Sequence, residues 1–339
     1  MDFYSIFKKA IGLKSPRLKL MMLAAARICG MRYYGIFIDP VIACNIKCKM
    51  CYFSDPANKP PYQKPMTEEQ INRLKQSVMK RALKMQIGCG AEPTIYRNLT
   101  SLIKAGKTAG VPYIEITTNG QLLTKEQLKE YINAGLNGIT LSLHATTKET
   151  YEYLMEGAKF DRLLNLIDIL RDIKSDTPSF KLRINYTVNN LNKKELLGLW
   201  QLFKDVKIDV LQVRPIQKLG ETAYNDFTIN DYDDLTTNII SPIAEEGKRH
   251  ATICLLPSRQ NVEHVNRKTS IATSIIEDVS YCYIAPQSCY RDDFNPQAET
   301  IKQYQSRSGI AKRLHRAILG KNLLTEQEDI NATKKLNYS

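Results

Sequence analysis

An α/β fold with parallel strands is predicted, and two observations carry the prediction. Between residues 35 and 220, six short apolar runs alternate with stretches of helical periodicity, the pattern of β/α units laid side by side. Directly after the first of those runs comes CNIKCKMC, which places Cys44, Cys48 and Cys51 on one loop. That is the strand end at which α/β folds carry their active sites. Periodicity alone leaves an incomplete barrel and an open doubly wound sheet equally admissible.

Residues 1–34 read as a helical extension. The run LKLMMLAAARI from Leu18 to Ile28 contains Lys19 and Arg27 and is far short of the roughly 20 apolar residues that cross a bilayer. A helix packed across the bottom of the fold is the first reading. Peripheral contact with a membrane surface is the second, since Lys8, Lys9, Lys14 and Arg17 accompany the run. The strand candidates follow: GIFIDPVIA (35–43), LKMQIG (83–88), PYIEITT (112–118), GITLSLH (138–144), KLRINYTV (181–188) and DVLQVRP (209–215). A helix over Thr67 to Met79 opens on a capping box, Thr67 with Gln70, and Thr124 with Gln127 repeats the device. Asn133 to Gly135 and Gly106 to Gly110 supply helix stops before the fourth and third strands. After Gly220 the alternation lapses into the polar, turn-rich ETAYNDFTINDYDDL. The expected organisation is therefore an extension (1–34), a core (35–220) and a small C-terminal α+β appendage (221–339).

Composition narrows the class. A chain of 339 residues, 43% hydrophobic and 24% charged, buries a large core. Lys and Arg number 48 against 35 Asp and Glu, leaving +13, which favours acidic partners. Nucleic acid ranks lowest among these, because no recognition motif accompanies the charge. Eight cysteines are too few for a disulfide scaffold, and the N-terminal residues lack the regions of a signal peptide. A reducing, cytoplasmic setting is expected, where clustered cysteines more often bind metal. Structural zinc would need a fourth donor, yet no His occurs before His144. A cubane iron–sulfur cluster ligated by three thiolates instead leaves one iron open.

Cys-x3-Cys-x2-Cys followed by Tyr52, after the first of six β/α units, resembles the radical S-adenosylmethionine (radical SAM) enzymes. Four further stretches agree with that family: GCGAEP (88–93) after the second strand, TTNG (117–120) at the end of the third, SLHATTKETYEYLMEG (142–157) after the fourth, and VRP (213–215) closing the sixth. The likeness spans about residues 35 to 220 and implies a partial (β/α)6 TIM-like barrel. It implies a [4Fe-4S] cluster on Cys44, Cys48 and Cys51, with S-adenosylmethionine chelating the open iron. It further implies reductive cleavage to a 5′-deoxyadenosyl radical that abstracts hydrogen from a peptide or small-molecule substrate, carbohydrate-related ones included. An acidic flavodoxin or ferredoxin would deliver the electron.

By motif position, Gly90, Ala91 and Glu92 would meet the cofactor's amino group, largely through backbone oxygens. Ala91 replaces the family's second Gly, and its methyl fits only if φ is negative. Thr118 and Asn119 would face the cofactor, as would Ser142. Arg183 and Asn185 alternate with Leu182 and Ile184, so they share a face; from there Arg183 could pair with the cofactor carboxylate. His144 reads as a core residue, and Cys29 and Cys89 as buried thiols. Cys254, Cys282 and Cys289 lie in a C-terminal segment that resembles a SPASM or twitch appendage, but three thiolates are too few for that pattern. A degenerate, cluster-free appendage is the favoured reading; the alternative is one auxiliary cluster completed by His250 or His264. A non-catalytic iron–sulfur protein for electron transfer or sensing is the competing functional reading, and a zinc-stabilised adaptor a third.

Overall fold

The protein is described from a computed structural model over residues 15–51, 63–216, 227, 229, 231–262, 268–289, 291–319 and 327–329. Tyr52, His264 and most of the polar stretch after Gly220 lie outside those residues. Helix α1 (Pro16–Ile28) is capped by the Ser15 side chain and buries Leu20, Leu23, Ala24 and Arg27. Six strands then appear where alternation predicts them: β1 (Tyr34–Ile38), β2 (Ala82–Ile87), β3 (Tyr113–Thr118), β4 (Gly138–Leu143), β5 (Lys181–Val188) and β6 (Val210–Pro215). Between them run α2 (Glu68–Ser77), α3 (Leu99–Thr108), α4 (Lys125–Ala134), α5 (Lys148–Leu154) and α6 (Phe160–Asp176). Both expected capping boxes form, at Thr67 and Thr124, and Gly135 ends α4 in the left-handed region at φ 117°.

The C-terminal segment does more than append. Helix α7 (Ser241–Arg249) leads into β7 (Ile253–Leu255), and α8 (Ile271–Ser280) into β8 (Tyr281–Ile284); α9 (Ile301–Arg307) and α10 (Ile310–Leu319) follow. The main sheet has eight strands in the order β8-β1-β2-β3-β4-β5-β6-β7, every pairing parallel. The sequence expectation of six strands is thus extended by one strand at each edge, and a cut at residue 220 would run through one continuous sheet. The edges β7 and β8 are not paired with each other among the described residues, so the barrel is partial.

Register sorts the side chains. Ile36, Met85, Ile114, Ile139, Leu182, Ile184 and Leu211 lie on one face and are buried beneath helices. A Cβ added at Gly106 of α3 would meet Met85 and Ile114 at 2.4 and 3.1 Å, which shows how closely α3 sits on that face. The opposite, lumen face carries Lys84 and Gln86, Glu115 and Thr117, Thr140 and Ser142, Arg183 and Asn185, then Gln212 and Arg214. No helix among the described residues is long and apolar enough to cross a membrane.

Candidate active site

β1 ends at Ile38, and after Asp39 and Pro40 the chain turns over the C-terminal end of the sheet carrying Cys44, Cys48 and Cys51. The loop is pinned from the far side: Lys47 and Cys48 pair antiparallel with Glu156 and Met155, and the Lys49 N–H donates to Leu154 O at 2.9 Å. This gives the tail of SLHATTKETYEYLMEG its task. Met50 is anchored too, its sulfur accepting a hydrogen bond from the amide of buried Asn189 at the end of β5.

Burial, with the nearby negative charges of Glu92 and Cys51, pushes the Cys44 thiol up to about 11 despite a hydrogen bond from the Ile46 backbone. Burial and the neighbouring Cys51 and Cys44 push Cys48 well above the usual thiol range. Cys44 itself keeps solvent exposure, so what the three share is mutual repulsion as anions; held together as thiolates they call for a cation among them, which a cluster provides. Among the described residues no three His, Cys, Asp or Glu side chains converge on a point that could hold a single metal ion. A cubane asks for something different, one thiolate on each of three irons, and three spaced cysteines on one loop can supply it. The donor set therefore fits the cluster.

The GCGAEP loop is held beside the cysteines by a residue that motif reading passes over. Asp39, wholly buried, accepts from Cys89 N at 2.6 Å, Gly90 N at 3.0 Å and the Tyr283 hydroxyl at 2.9 Å. Burial raises its pKa, against the pull of those hydrogen bonds. Ala91 is not among the positive-φ residues, so its methyl meets the condition set for it. The Glu92 carboxylate turns inward, accepting from Thr94 Oγ1 at 2.6 Å, Thr118 Oγ1 at 2.7 Å and Asn119 N at 2.8 Å. Its backbone N–H donates to Ala43 O at 2.9 Å, tying this loop to the cysteine loop.

Thr118 is thereby committed to Glu92, on the helix-covered face; the pleat turns Thr117 to the lumen, where it accepts from Gln86 at 2.9 Å. Asn119 reaches the cysteines, its Nδ2 donating to Asn45 Oδ1 at 2.9 Å and lying 3.8 Å from Cys44 Sγ. Buried Gln121, two residues on, bonds the Tyr151 hydroxyl and the backbone of Lys159, locking this turn to α5 and α6. Ser142 stands half-buried on the lumen face. There Arg183 donates to Asn185 Oδ1 at 3.1 Å and to Gln212 Oε1, an oxygen that also accepts from Arg214 at 3.0 Å. Burial, and then the Arg183 charge, lower the Arg214 pKa to about 10. Lumen-facing Glu115 is already paired with Lys84 at 2.6 Å. His144 is desolvated, which lowers its pKa to about 4, so its ring is neutral near pH 7.

The structure spreads the three cysteines of the alternative reading, an auxiliary cluster, over both edges of the sheet. Cys254 lies on β7 at one edge of the sheet, Cys282 and Cys289 at β8 on the other. Six strands separate the two edges along the sheet. His250 stacks on Trp200 at 4.8 Å instead. Asp39, Gln121, Asn189, Gln212 and Arg214 were missed as site residues. Only Arg214, within VRP, carried a motif signal.

A family model described as the Radical SAM superfamily matches residues 38–197. The probable GTP 3′,8-cyclase of Saccharolobus solfataricus is 27% identical over 198 residues, 57% of this chain and 59% of that protein. The GTP 3′,8-cyclase of Aquifex aeolicus is 28% identical over 223 residues, 64% of each. The chain thus spans less than two thirds of the length of these relatives. Among solved structures, Streptococcus suis SuiB bound to S-adenosylmethionine superposes with a TM-score of 0.59 at 17% identity, covering 78% of this chain and 61% of that one. Native anSMEcpe with bound AdoMet and a Kp18Cys peptide gives 0.59 at 16%, covering 84% and 82%. At such identities the structures speak for the fold alone.

Proposed function

The chain belongs to the radical SAM superfamily, and from that premise we propose an enzyme that cleaves S-adenosylmethionine at a [4Fe-4S] cluster and acts on a small anionic substrate in the lumen. The observation that carries the reading is one meeting of loops: three crowded thiols beside a GCGAEP loop held by Asp39, at the end of a lumen bearing Arg183 and Arg214. When bound, the cluster supplies the electron that opens the sulfonium, the chemistry from which hydrogen abstraction follows.

Cys44, Cys48 and Cys51 hold the cluster. The backbone of Gly90, Ala91 and Glu92 receives the amino group of S-adenosylmethionine, on a loop kept in place by Asp39 beneath it and by the Glu92 staple to Thr118 and Asn119. Thr118 acts through Glu92, and Asn119 orients Cys44. Ser142, Arg183 and Asn185 face the carboxylate and ribose. Gln212 splits its oxygen between two guanidinium groups, fixing both in a fork suited to oxyanions. Arg183 serves the cofactor, and Arg214 takes an anionic group of the substrate. Relatives named for a GTP reaction support a phosphate-bearing substrate over a peptide. An acidic flavodoxin or ferredoxin is the electron donor, steered by the +13 charge, and its reduction rate falls steeply with added salt.

The test is anaerobic reconstitution, then dithionite and S-adenosylmethionine with and without purine nucleoside triphosphates, following 5′-deoxyadenosine. Release that a nucleotide stimulates, and that Arg214→Ala uncouples from the nucleotide, is the expected result. A reconstituted cluster with no cleavage under any condition would favour the electron-transfer or sensing role.

A further inference from the structure

Helix α1 turns an apolar stripe outward as well as inward. Its inner face, Leu20, Leu23 and Ala24, is in the core. Its outer face reads Leu18, Met21, Met22, Ala25 and Ile28, spaced three and four residues apart and so aligned in one row, and Cys29 at the helix end is exposed beside them instead of buried as the sequence reading expects. Ile28 is 62% exposed, Met21 49% and Leu18 41%; Met31, just beyond the helix, is 41% exposed. Water-facing aliphatic and thioether side chains in a continuous row are unusual on a single surface helix and mark an interaction site.

The charge beside the stripe is mostly basic: α8, which also packs against α1, carries Glu277 and Asp278, but Asp278 is paired with Arg291 and Arg313. Neither α1 nor α10, which packs against it, contains an acidic residue. Arg17 and Lys19 flank the stripe, and α10 exposes Lys312, Arg313, His315 and Arg316. Of these, Arg313 pairs with Asp278 at 3.3 Å. An apolar row bordered by cations is the complement of an anionic bilayer surface, where side chains enter the acyl boundary and Lys and Arg meet headgroup phosphates.

Position argues against the other acidic partner, a redox protein. α1 feeds β1 at its N-terminal end, whereas Cys44 follows the C-terminal end. The five residues of β1 put roughly 16 Å of strand between the two, so a donor docked on α1 would sit at the wrong end for the cysteines. We propose that the outer face of α1, with the basic face of α10, docks this protein on anionic lipid membranes. The proposal is independent of the substrate and of the cluster.

Vesicle flotation of the full-length protein tests it, with phosphatidylcholine alone against phosphatidylcholine containing roughly a third phosphatidylglycerol. Wild type is expected to float with the anionic vesicles only, and to be released as salt screens the charge. Met22→Glu/Ile28→Glu should lower the bound fraction about tenfold or more, and Lys312→Glu/Arg316→Glu should weaken binding comparably. Both pairs are solvent-exposed, and an unchanged melting temperature shows that the variants fold. No flotation of wild type at low salt overturns the proposal, as does flotation that survives Met22→Glu/Ile28→Glu. A self-association that those substitutions abolish, without vesicle binding, also overturns it and assigns the stripe to a second copy of the chain.

Discussion

The carboxylate of Asp39 and the hydroxyl of Tyr283 lie 2.9 Å apart across the seam where β8 joins β1. Through that contact the C-terminal segment reaches the loop after β2, because the same carboxylate receives Cys89 N and Gly90 N. Asp39→Ala removes the shared acceptor of two loop amides and the Tyr283 hydroxyl, all half-buried, at about 1–3 kcal/mol for each group left unsatisfied. A loss of roughly 3 kcal/mol or more in urea denaturation is expected, with S-adenosylmethionine affinity down at least tenfold by calorimetry. Tyr283→Phe removes one donor and keeps the loop amides satisfied, so it should cost about 1 kcal/mol with little change in affinity. Equal affinity losses in the two variants would show that the seam, not the loop amides, matters.

Cys48 is the deepest of the three loop thiols, and its strand pairing to Met155 fixes its place. Cys48→Ala should abolish iron and sulfide incorporation and the visible cluster absorbance, while the apoprotein keeps its far-ultraviolet dichroism. Retention of a full complement of iron would mean that other residues hold the metal.

Six strands were legible because each offers five to eight residues of apolar character between turn signals. β7 and β8 were not, since ICL and YCYI are too short to show a period, and their places at opposite edges follow from tertiary pairing. The cysteine loop and GCGAEP announced themselves by spacing. Asp39 could not, because its partners are backbone groups fifty residues on and a hydroxyl 244 residues away. Thr118 shows a subtler limit. TTNG marks the right turn, but only the pleat, fixed by register, decides which threonine faces the lumen.

Gly88 sits at φ 84°, and a Cβ there would lie 2.4 Å from the carbonyl oxygen of Thr117 and 2.6 Å from the Pro93 ring. Neither neighbour can move cheaply, one being backbone and the other a ring that opens the next turn. Gly88→Ala should therefore cost more than the roughly 1–2 kcal/mol of left-handed strain alone. Gly309, at φ 80° with nothing within 4 Å of an added Cβ, isolates that strain. A larger loss of melting temperature for Gly88→Ala than for Gly309→Ala is the expected outcome, and equal losses would refute the crowding argument.

Asp209, at the start of β6, gives the acid limb of stability. Burial alone would raise its pKa, but Lys174 at 2.6 Å, the Leu182 N–H at 2.9 Å and Lys181 at 3.0 Å outweigh burial and hold it below the usual carboxylate range. The folded pKa is thus lower than the unfolded value of about 3.9. A group of this kind stabilises the fold above its unfolded pKa and loses that contribution as pH falls through its folded pKa. Lys181 is half exposed, so solvent screening limits that pair to about 1 kcal/mol or less. Lys174→Met removes the more buried cation, the one that also caps Phe180 O at 2.9 Å. Its stability deficit against wild type, read from denaturant midpoints, should be full at pH 6 and shrink below about pH 4 as Asp209 protonates in both proteins. A deficit that stays constant down to pH 3 would place the effect in packing of the lysine stem instead of its charge.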